Sequence, residues 1–268
     1  MRLVLVSGSH PRHLYVMRKM IETGLVVGLV LMKRENMIDD TPDDLSDHLK
    51  QLYIHHFQLR KEMEDEYFGN PEISAISNGV PVLAIDRTEL NSNKVEDFML
   101  SIKADCLFSY GPDLFKDNIL DIVNNNAFNL HGGLSPWYKG AATMFWPFYF
   151  LEPQYVGTTL HYITRKIDAG NIVHQTVPKL EYGDGMHRVA CKAIVSAAAE
   201  AAEVMRLIER KGMPEGSAQK GNGKLFLERD WRPEHLSLIY DLFEDKIVDH
   251  YLDGKIGNKP GPKLVTFS

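Results

Sequence analysis

The chain contains little cysteine and no long apolar run. Cys106 and Cys191 are its two cysteines among 268 residues, and neither lies in a CxxC pair. Such sparse use of cysteine is typical of a reducing compartment rather than of disulfide-linked secreted domains. No stretch approaches 18 consecutive apolar residues, and the first residues lack the pattern of a signal peptide. We therefore expect a cytoplasmic protein with no membrane partner and with both thiols in its core.

An excess of positive charge is also missing. The 30 Lys and Arg residues are outnumbered by 36 Asp and Glu, which leaves a net charge of −6. Affinity for nucleic acid depends on neutralising phosphates with Lys and Arg, so no nucleic-acid partner is expected. The first loop, SGSHPRH at residues 7–13, lacks the G-x-G-x-x-G pattern, which argues against a dinucleotide-binding oxidoreductase.

The order of the apolar runs predicts an α/β fold. An apolar run at residues 2–7 is followed by a turn, a helix-period segment at 12–23 and a second apolar run at 25–32. This is a βαβ unit whose strands are buried on both faces. The alternation continues with strand patterns at 80–86 and 106–110 around a helical pattern at 92–103. We expect a Rossmann-like, mostly parallel sheet flanked by helices.

The chain divides into a larger unit and a small extension. Residues 1–212 form the expected catalytic domain, with a charged, helix-prone insert at about residues 33–70 and a final alanine-rich helix. Residues 213–268 form a small C-terminal extension. Its pattern predicts a linker at 214–223, a short strand at 224–228 and a helix at 233–251. An apolar segment at 143–151 predicts a further buried helix, broken near its proline.

Reactive side chains are concentrated in residues 127–173. Asn129 and His131 are two residues apart at the end of a short strand pattern, so both side chains leave the same face. Asp168 follows in a turn and can reach the same pocket. An amide donor, an imidazole and a carboxylate suit acyl transfer to an amine, which needs an oxyanion donor and a proton acceptor. Taken alone, an Asn-x-His pair at a strand end is more often a capping amide and a satisfied surface histidine.

Five linked blocks extend this pattern. They are N-L-H at 129–131, L-S-P at 134–136, Y-K-G at 138–140, G-T-T-L-H at 157–161 and D-A-G-N-I at 168–172. Their order resembles the signature of the formyltransferases that use N10-formyltetrahydrofolate, closely over residues 127–173 and more loosely over the first 210 positions. Two departures occur: Gly132 and Gly133 replace the usual x-Ser, and Lys139 stands where arginine is commoner.

The resemblance implies specific roles and no metal. Asn129 and His131 would bind the formyl oxygen, and Asp168 would orient His131 or relay the proton of the amine. His161 and Thr159 would support them. The pterin of the donor would lie between two walls, formed by Tyr110, Gly111 and Leu114 on one side and by Ile163, Ile167 and Asp168 on the other. The acceptor would contact the first loop and the positions that differ from the family pattern: Ser9, His10, Arg12, Gly132, Gly133 and Lys139.

The length of the C-terminal extension indicates which class of acceptor substrate to expect. Fewer than 60 residues follow the linker, too few for the tRNA-binding barrel of methionyl-tRNA formyltransferases, whereas a short extension resembles the sugar-nucleotide N-formyltransferases. We expect formylation of a primary amine on a nucleotide-linked amino-dideoxy sugar, by a possible homodimer. Alternatives are a small amine such as hydroxyornithine or glycinamide ribonucleotide, hydrolysis of the formyl donor, or a non-catalytic protein that binds folate or a nucleotide-sugar.

The insert has two interpretations. His56, Arg60, Glu64 and Tyr67 recur at about one helical turn and share a face. Such a stripe is typical of a solvated surface or an intrahelical ladder of ion pairs, and it could also form a wall that faces the substrate.

Overall fold

The computed structural model describes residues 1–33, 42, 44–69, 71–221, 223–257 and 260–268. The strands in these residues are β1 (Leu3–Gly8), β2 (Val26–Met32), β3 (Val82–Ile85), β4 (Cys106–Tyr110), β5 (Ala127–His131), β6 (Tyr138–Gly140), β7 (Thr158–Tyr162), β8 (Ile172–Thr176) and β9 (Lys224–Phe226). The α-helices are α1 (Pro11–Ile21), α2 (Asp47–Phe68), α3 (Ile73–Ser77), α4 (Asn93–Ser101), α5 (Asp117–Leu120), α6 (Trp146–Tyr149), α7 (Met186–Lys211) and α8 (Ile247–Leu252).

The central sheet has the order β3-β2-β1-β4-β5-β7-β8 in the described part of the chain. The first five strands of this order are mutually parallel, and β7 and β8 are antiparallel to their neighbours. The predicted α/β fold with a mostly parallel sheet is confirmed. Because β1, β4 and β5 are parallel, their carboxyl ends lie at one edge, where open α/β sheets bind ligands.

Apolar side chains cover both faces of the sheet. On one face, alternate residues of β1, β2, β4 and β5 pack with α1 and α7, and both cysteines are buried and free in this cluster. On the other face, the remaining residues of these strands pack with α4 and α5. Burial on both faces explains why these strands read as continuous apolar runs. Strand β3 differs from these strands, because it lies at the edge of the sheet and its Val82 is exposed.

The residues after 212 pack against the helix of the insert. Strand β9 pairs in parallel with β6, with Leu225 opposite Lys139. Phe226, Leu236 and Ile239 join Tyr53 of α2 in one buried cluster. This contact brings α2 and the C-terminal residues to the same side of the molecule.

Two helix predictions were wrong in extent. The segment 233–251 is not one helix: it contains a 3₁₀ turn at Pro233–His235, a π-helical turn at Leu238–Leu242 and then α8. Glu244 and Asp245 interrupt it with positive φ angles of 51° and 55°. The carboxylate of Asp245 instead accepts a hydrogen bond from the backbone N–H of Met186 at 2.9 Å, which caps the start of α7.

The segment 143–151 is buried only in part, since Phe150 is 44% exposed, and its helix, α6, is shorter than predicted. Pro147 lies in the first turn of α6 and does not break it, since the first turn needs no N–H from this residue. Thr143, the first residue of the segment, donates a hydrogen bond to the carbonyl of Gly132 at 2.6 Å. The first part of this segment thus fixes the loop after β5.

No helix among the described residues is long and apolar enough to cross a membrane.

Candidate active site

Strand pairing places Asn129, His131 and His161 together. Asn129 lies opposite His161 and His131 lies opposite Thr159 in the antiparallel pair β5–β7. Residues that oppose one another across such a pair project from the same face of the sheet. The predicted pair and its two predicted supporting residues are therefore cross-strand neighbours.

The amide of Asn129 is held at both ends. Its Oδ1 lies 3.0 Å from the hydroxyl oxygen of Ser109 on β4, which donates a hydrogen. Its Nδ2 lies 3.3 Å from Nε2 of His161. Because the hydroxyl of Ser109 fixes the carbonyl end of the amide, the NH₂ end is directed toward His161.

His131 faces two acceptors. Its Nε2 lies 3.1 Å from the carbonyl oxygen of Tyr138, and its Nδ1 lies 3.3 Å from Oδ2 of Asp168. Burial lowers the pKa of His131, and the carboxylate of Asp168 opposes this effect only in part. A neutral ring carries one N–H hydrogen and can donate it to only one of these two acceptors, whereas the protonated ring donates to both. The ring can therefore take up a proton beside the carboxylate, which stabilises the imidazolium.

Asp168 is the electrostatic centre of the site. It adopts a positive φ of 45° in the turn after β7. Its Oδ2 accepts a hydrogen bond from the backbone N–H of Gly140 at 2.9 Å, and its Oδ1 lies 3.4 Å from Nε2 of His161. Burial raises the pKa of this carboxyl, but His131, His161 and the Gly140 N–H outweigh burial and hold it at about 2. The carboxylate is therefore ionised at neutral pH.

The loop after β5 rests on Thr159 and on Gly133. The hydroxyl of Thr159 donates to the carbonyl of Gly133 at 2.8 Å and accepts from the backbone N–H of Ser135 at 2.9 Å. A Cβ added to Gly133 would lie 2.5 Å from Nε2 of His131 and 2.6 Å from Cβ of Thr143. Gly133 is thus required for close packing beneath the imidazole, whereas a Cβ at Gly132 would meet only Met144 at 3.7 Å.

These residues open into one cavity of about 1170 Å³. Most of the residues expected to contact ligands line it: His10, Arg12, Tyr110, Gly111, Leu114, Asn129, His131, Gly132, His161, Ile163, Ile167 and Asp168. Ser9, Gly133, Lys139 and Thr159 are not among the described residues that line it. Thr159 and Gly133 lie behind the imidazole instead, and Lys139 lies on β6, in register with Leu225.

His56, Arg60 and Glu64 of α2 also line the cavity. The stripe is therefore not a solvated surface at these three positions. Leu225–Arg229 and Trp231, which follow the linker, line the same side. Sequence reasoning had no signal for this, because the position of β9 depends on pairing with a distant strand.

Gln219 is a residue that the sequence analysis missed. Its side-chain NH₂ donates to the backbone carbonyls of Asp168 at 2.7 Å and of Gly170 at 2.8 Å. It thus holds the turn that carries the carboxylate. Gln219 lies in the Pro/Gly/Ser segment expected to be a linker, and that composition hid its contact.

We expect Gln219→Ala to lower kcat/KM by about 10-fold, because two hydrogen bonds to the Asp168 turn are lost and each contributes roughly 1 kcal/mol. Steady-state kinetics and a thermal melt would check this together. Gln58→Ala, an exposed glutamine on α2, is the control and should change neither measurement. An activity equal to that of the unaltered chain would contradict a positioning role for Gln219.

The described residues contain no group of three or more His, Cys, Asp or Glu that could hold a metal ion.

Comparison with known proteins identifies related sequences. A family model described as formyl transferase matches residues 60–204, which is more than half of the chain. The bifunctional polymyxin resistance protein ArnA of Wigglesworthia glossinidia brevipalpis is 33% identical over 122 residues, covering 45% of this chain. The match covers 18% of that relative, so this chain corresponds to a small part of its length.

Solved structures share the fold. The phosphoribosylglycinamide formyltransferase of Anaplasma phagocytophilum superposes with a TM-score of 0.56 at 17% identity, over 85% of this chain and 98% of that one. The formyltransferase PseJ of Anoxybacillus kamchatkensis gives a TM-score of 0.50 at 19% identity, over 95% and 98% of the two chains. At these identities the likeness establishes a common architecture.

Proposed function

This chain belongs to the formyl transferase family, and on that premise we propose that it moves a formyl group from N10-formyltetrahydrofolate to the primary amine of a nucleotide-linked amino sugar. The observation that carries the proposal is the meeting of Asn129, His131 and an ionised Asp168 at the wall of one large cavity. These groups supply an oxyanion donor, a proton acceptor and a charge to stabilise the protonated imidazole.

The cavity suits a flat, partly apolar donor. Leu114 is 52% exposed and Ile167 is 42% exposed, although both are large apolar residues that line the cavity. An apolar ring placed between them would remove both from water, which is favourable at about 25 cal/mol per Å². Tyr110, Gly111 and Ile163, which belong to the two expected walls, line the same cavity.

The volume leaves room for a second ligand. Pockets for one drug-sized ligand span about 300–1,000 Å³, and the cavity here is about 1170 Å³. PseJ was solved in complex with tetrahydrofolate and a UDP-linked 4-formamido sugar. Its architecture extends over 95% of this chain, which supports an acceptor of the same class here.

The reaction requires one bond exchange and one proton transfer. The neutral amine attacks the formyl carbon, whose oxygen becomes negative and accepts a hydrogen bond from Nδ2 of Asn129. The bond between the formyl carbon and N10 then breaks, and the proton lost by the amine is transferred to N10. His131 carries that proton on Nδ1, where Oδ2 of Asp168 lies 3.3 Å away and stabilises the imidazolium. Tyr138 fixes the other side of the ring through its carbonyl.

Thermal melting of the protein with folinic acid, a stable analogue of the donor, crossed with nucleotides and nucleotide-sugars, tests the proposal. A ligand that binds only the native state raises the melting temperature. We expect one shift with folinic acid and a second with one nucleotide, followed by formylation of the matching amino sugar in mass spectrometry. A folate shift without a nucleotide shift would favour a small amine as the acceptor. No folate shift at near-millimolar ligand would contradict the donor assignment.

A further inference from the structure

Arg12, Arg60 and Glu64 form a charge cluster in the wall of the cavity, in which Glu64 is buried and both arginines are partly buried. Arg12 lies in the first turn of α1, and the other two lie one turn apart on α2. Nη1 of Arg12 lies 3.4 Å and Nε of Arg60 lies 2.9 Å from the same oxygen, Oε1 of Glu64. One carboxylate oxygen thus holds two guanidinium groups from different helices.

The cluster carries a net positive charge that its own partners do not cancel. Two guanidinium groups share one carboxylate, which leaves a charge of +1. Burial lowers the pKa of Arg60, and the nearby charge of Arg12 lowers it further. A charge withdrawn from water is costly unless it is paired, so the guanidinium groups of Arg12 and Arg60 favour an additional anion. Oε2 of Glu64 is buried and has no hydrogen-bond partner among the described residues, and because a carboxylate oxygen only accepts hydrogen bonds, it does not contribute to binding an anion.

Two other ion pairs of the molecule show the contrast. Arg87, also in the cavity wall, forms a two-point pair with Asp113, and this pair is balanced one to one. Lys61 and Asp65 repeat the spacing of Arg60 and Glu64 on the same helix, but their side chains are 58% and 46% exposed, against 21% and 4% for Arg60 and Glu64. The cluster is therefore distinguished by burial and by its uncancelled charge.

We propose that Arg12 and Arg60 bind the diphosphate of the acceptor, and that Glu64 holds both guanidinium groups in position for it. Arginine presents planar N–H groups that match phosphate oxygens in pairs. The cluster lines the same cavity as Asn129 and Asp168, so a diphosphate bound there belongs to a molecule that reaches the reaction centre. This inference rests on the proposed function and assigns the part of the acceptor that α2 recognises.

Calorimetric titration with inorganic pyrophosphate, UDP and dTDP tests the proposal on the full chain. Arg60→Gln should weaken binding of all three by about 10-fold or more, because the charge-assisted hydrogen bonds from its guanidinium group to phosphate oxygens are lost. Arg60→Lys should restore part of the loss. The matched control is Lys61→Gln, which removes the neighbouring exposed cation and should change affinity less than 2-fold. Uridine and thymidine, which lack phosphate, should bind the unaltered chain and Arg60→Gln equally.

The outcomes separate this proposal from the formyl transfer itself. Pyrophosphate affinity unchanged in Arg60→Gln would overturn the subsite. If Arg60→Gln does not fold, Arg12→Gln, on another helix, takes its place with the same expected loss. An unaltered chain that binds folinic acid but none of the three phosphates at millimolar concentration would overturn the subsite and leave the donor assignment standing. An unaltered chain that binds pyrophosphate but not folinic acid would support the subsite and contradict the donor assignment.

Discussion

Asn129→Ala should lower kcat by on the order of 100-fold, because removal of one oxyanion donor typically costs 10²–10³ in rate. The structure gives a physical reason to assign this role to the amide. Ser109 holds Oδ1 at 3.0 Å, so Nδ2 is the end that lies beside His161, in the wall of the cavity. A donor fixed before the substrate arrives needs no reorganisation when the negative charge develops.

The measurement is steady-state formyl transfer at saturating donor and acceptor, with KM determined for each. If the amide acts on the transition state, kcat falls while both KM values change little. Asn126→Ala is the control, since Asn126 precedes β5 and its Nδ2 lies 3.5 Å from the carbonyl of Asp105, outside the cavity. A loss below about 3-fold for Asn129→Ala would contradict the donor role.

The sheet and the reactive segment could be predicted because both depend on local pattern. The strand at 106–110 was predicted with its bounds, and the runs at 2–7 and 25–32 correspond to β1 and β2. Residues two apart on a strand share a face, so Asn129 and His131 could be placed together without coordinates. The ordered motif blocks added Asp168 and His161, and the register of β5 with β7 brings His161 opposite Asn129.

The C-terminal residues could not be predicted in the same way. The apolar spacing of 233–251 is helical, but Asp245 leaves the helix to cap α7, and that choice depends on a residue 59 positions earlier. Gln219 lies in a segment whose composition is typical of a linker. Its partners, the carbonyls of Asp168 and Gly170, are backbone groups, so the sequence carries no signal for this contact. The burial of Arg60 and Glu64 depends likewise on packing of α2 that helical periodicity does not encode.

Asp168→Asn should lower kcat by on the order of 1,000-fold, within the 10²–10⁴ that positioned proton transfer contributes. The amide is nearly the same size as the carboxylate, but it carries no charge to stabilise a protonated His131. In the native protein, one carboxylate oxygen of Asp168 accepts from the N–H of Gly140 and the other lies beside Nε2 of His161. The variant replaces one of these oxygens with an NH₂ group, which cannot accept a hydrogen bond. Asp117→Asn, which removes an exposed carboxylate paired with Arg165, is the control and should leave kcat within 2-fold.

The pH dependence gives this prediction a second test. The carboxylate of Asp168 raises the pKa of His131 against the effect of burial, so its removal should lower that pKa further. Because neutral His131 is the proton acceptor, the acid limb of the kcat profile should move to lower pH in the variant.

The stability of the folded protein should depend on Asp168 as well. The pKa of Asp168 is about 2 in the folded state and 3.8 in the unfolded chain. Its ionisation therefore stabilises the protein above about pH 4, and this contribution is lost as the pH falls toward 2. Asp168→Asn should lack that component of acid unfolding, whereas an unchanged acid limb together with an unchanged acid unfolding profile would show that Asp168 is not coupled to His131.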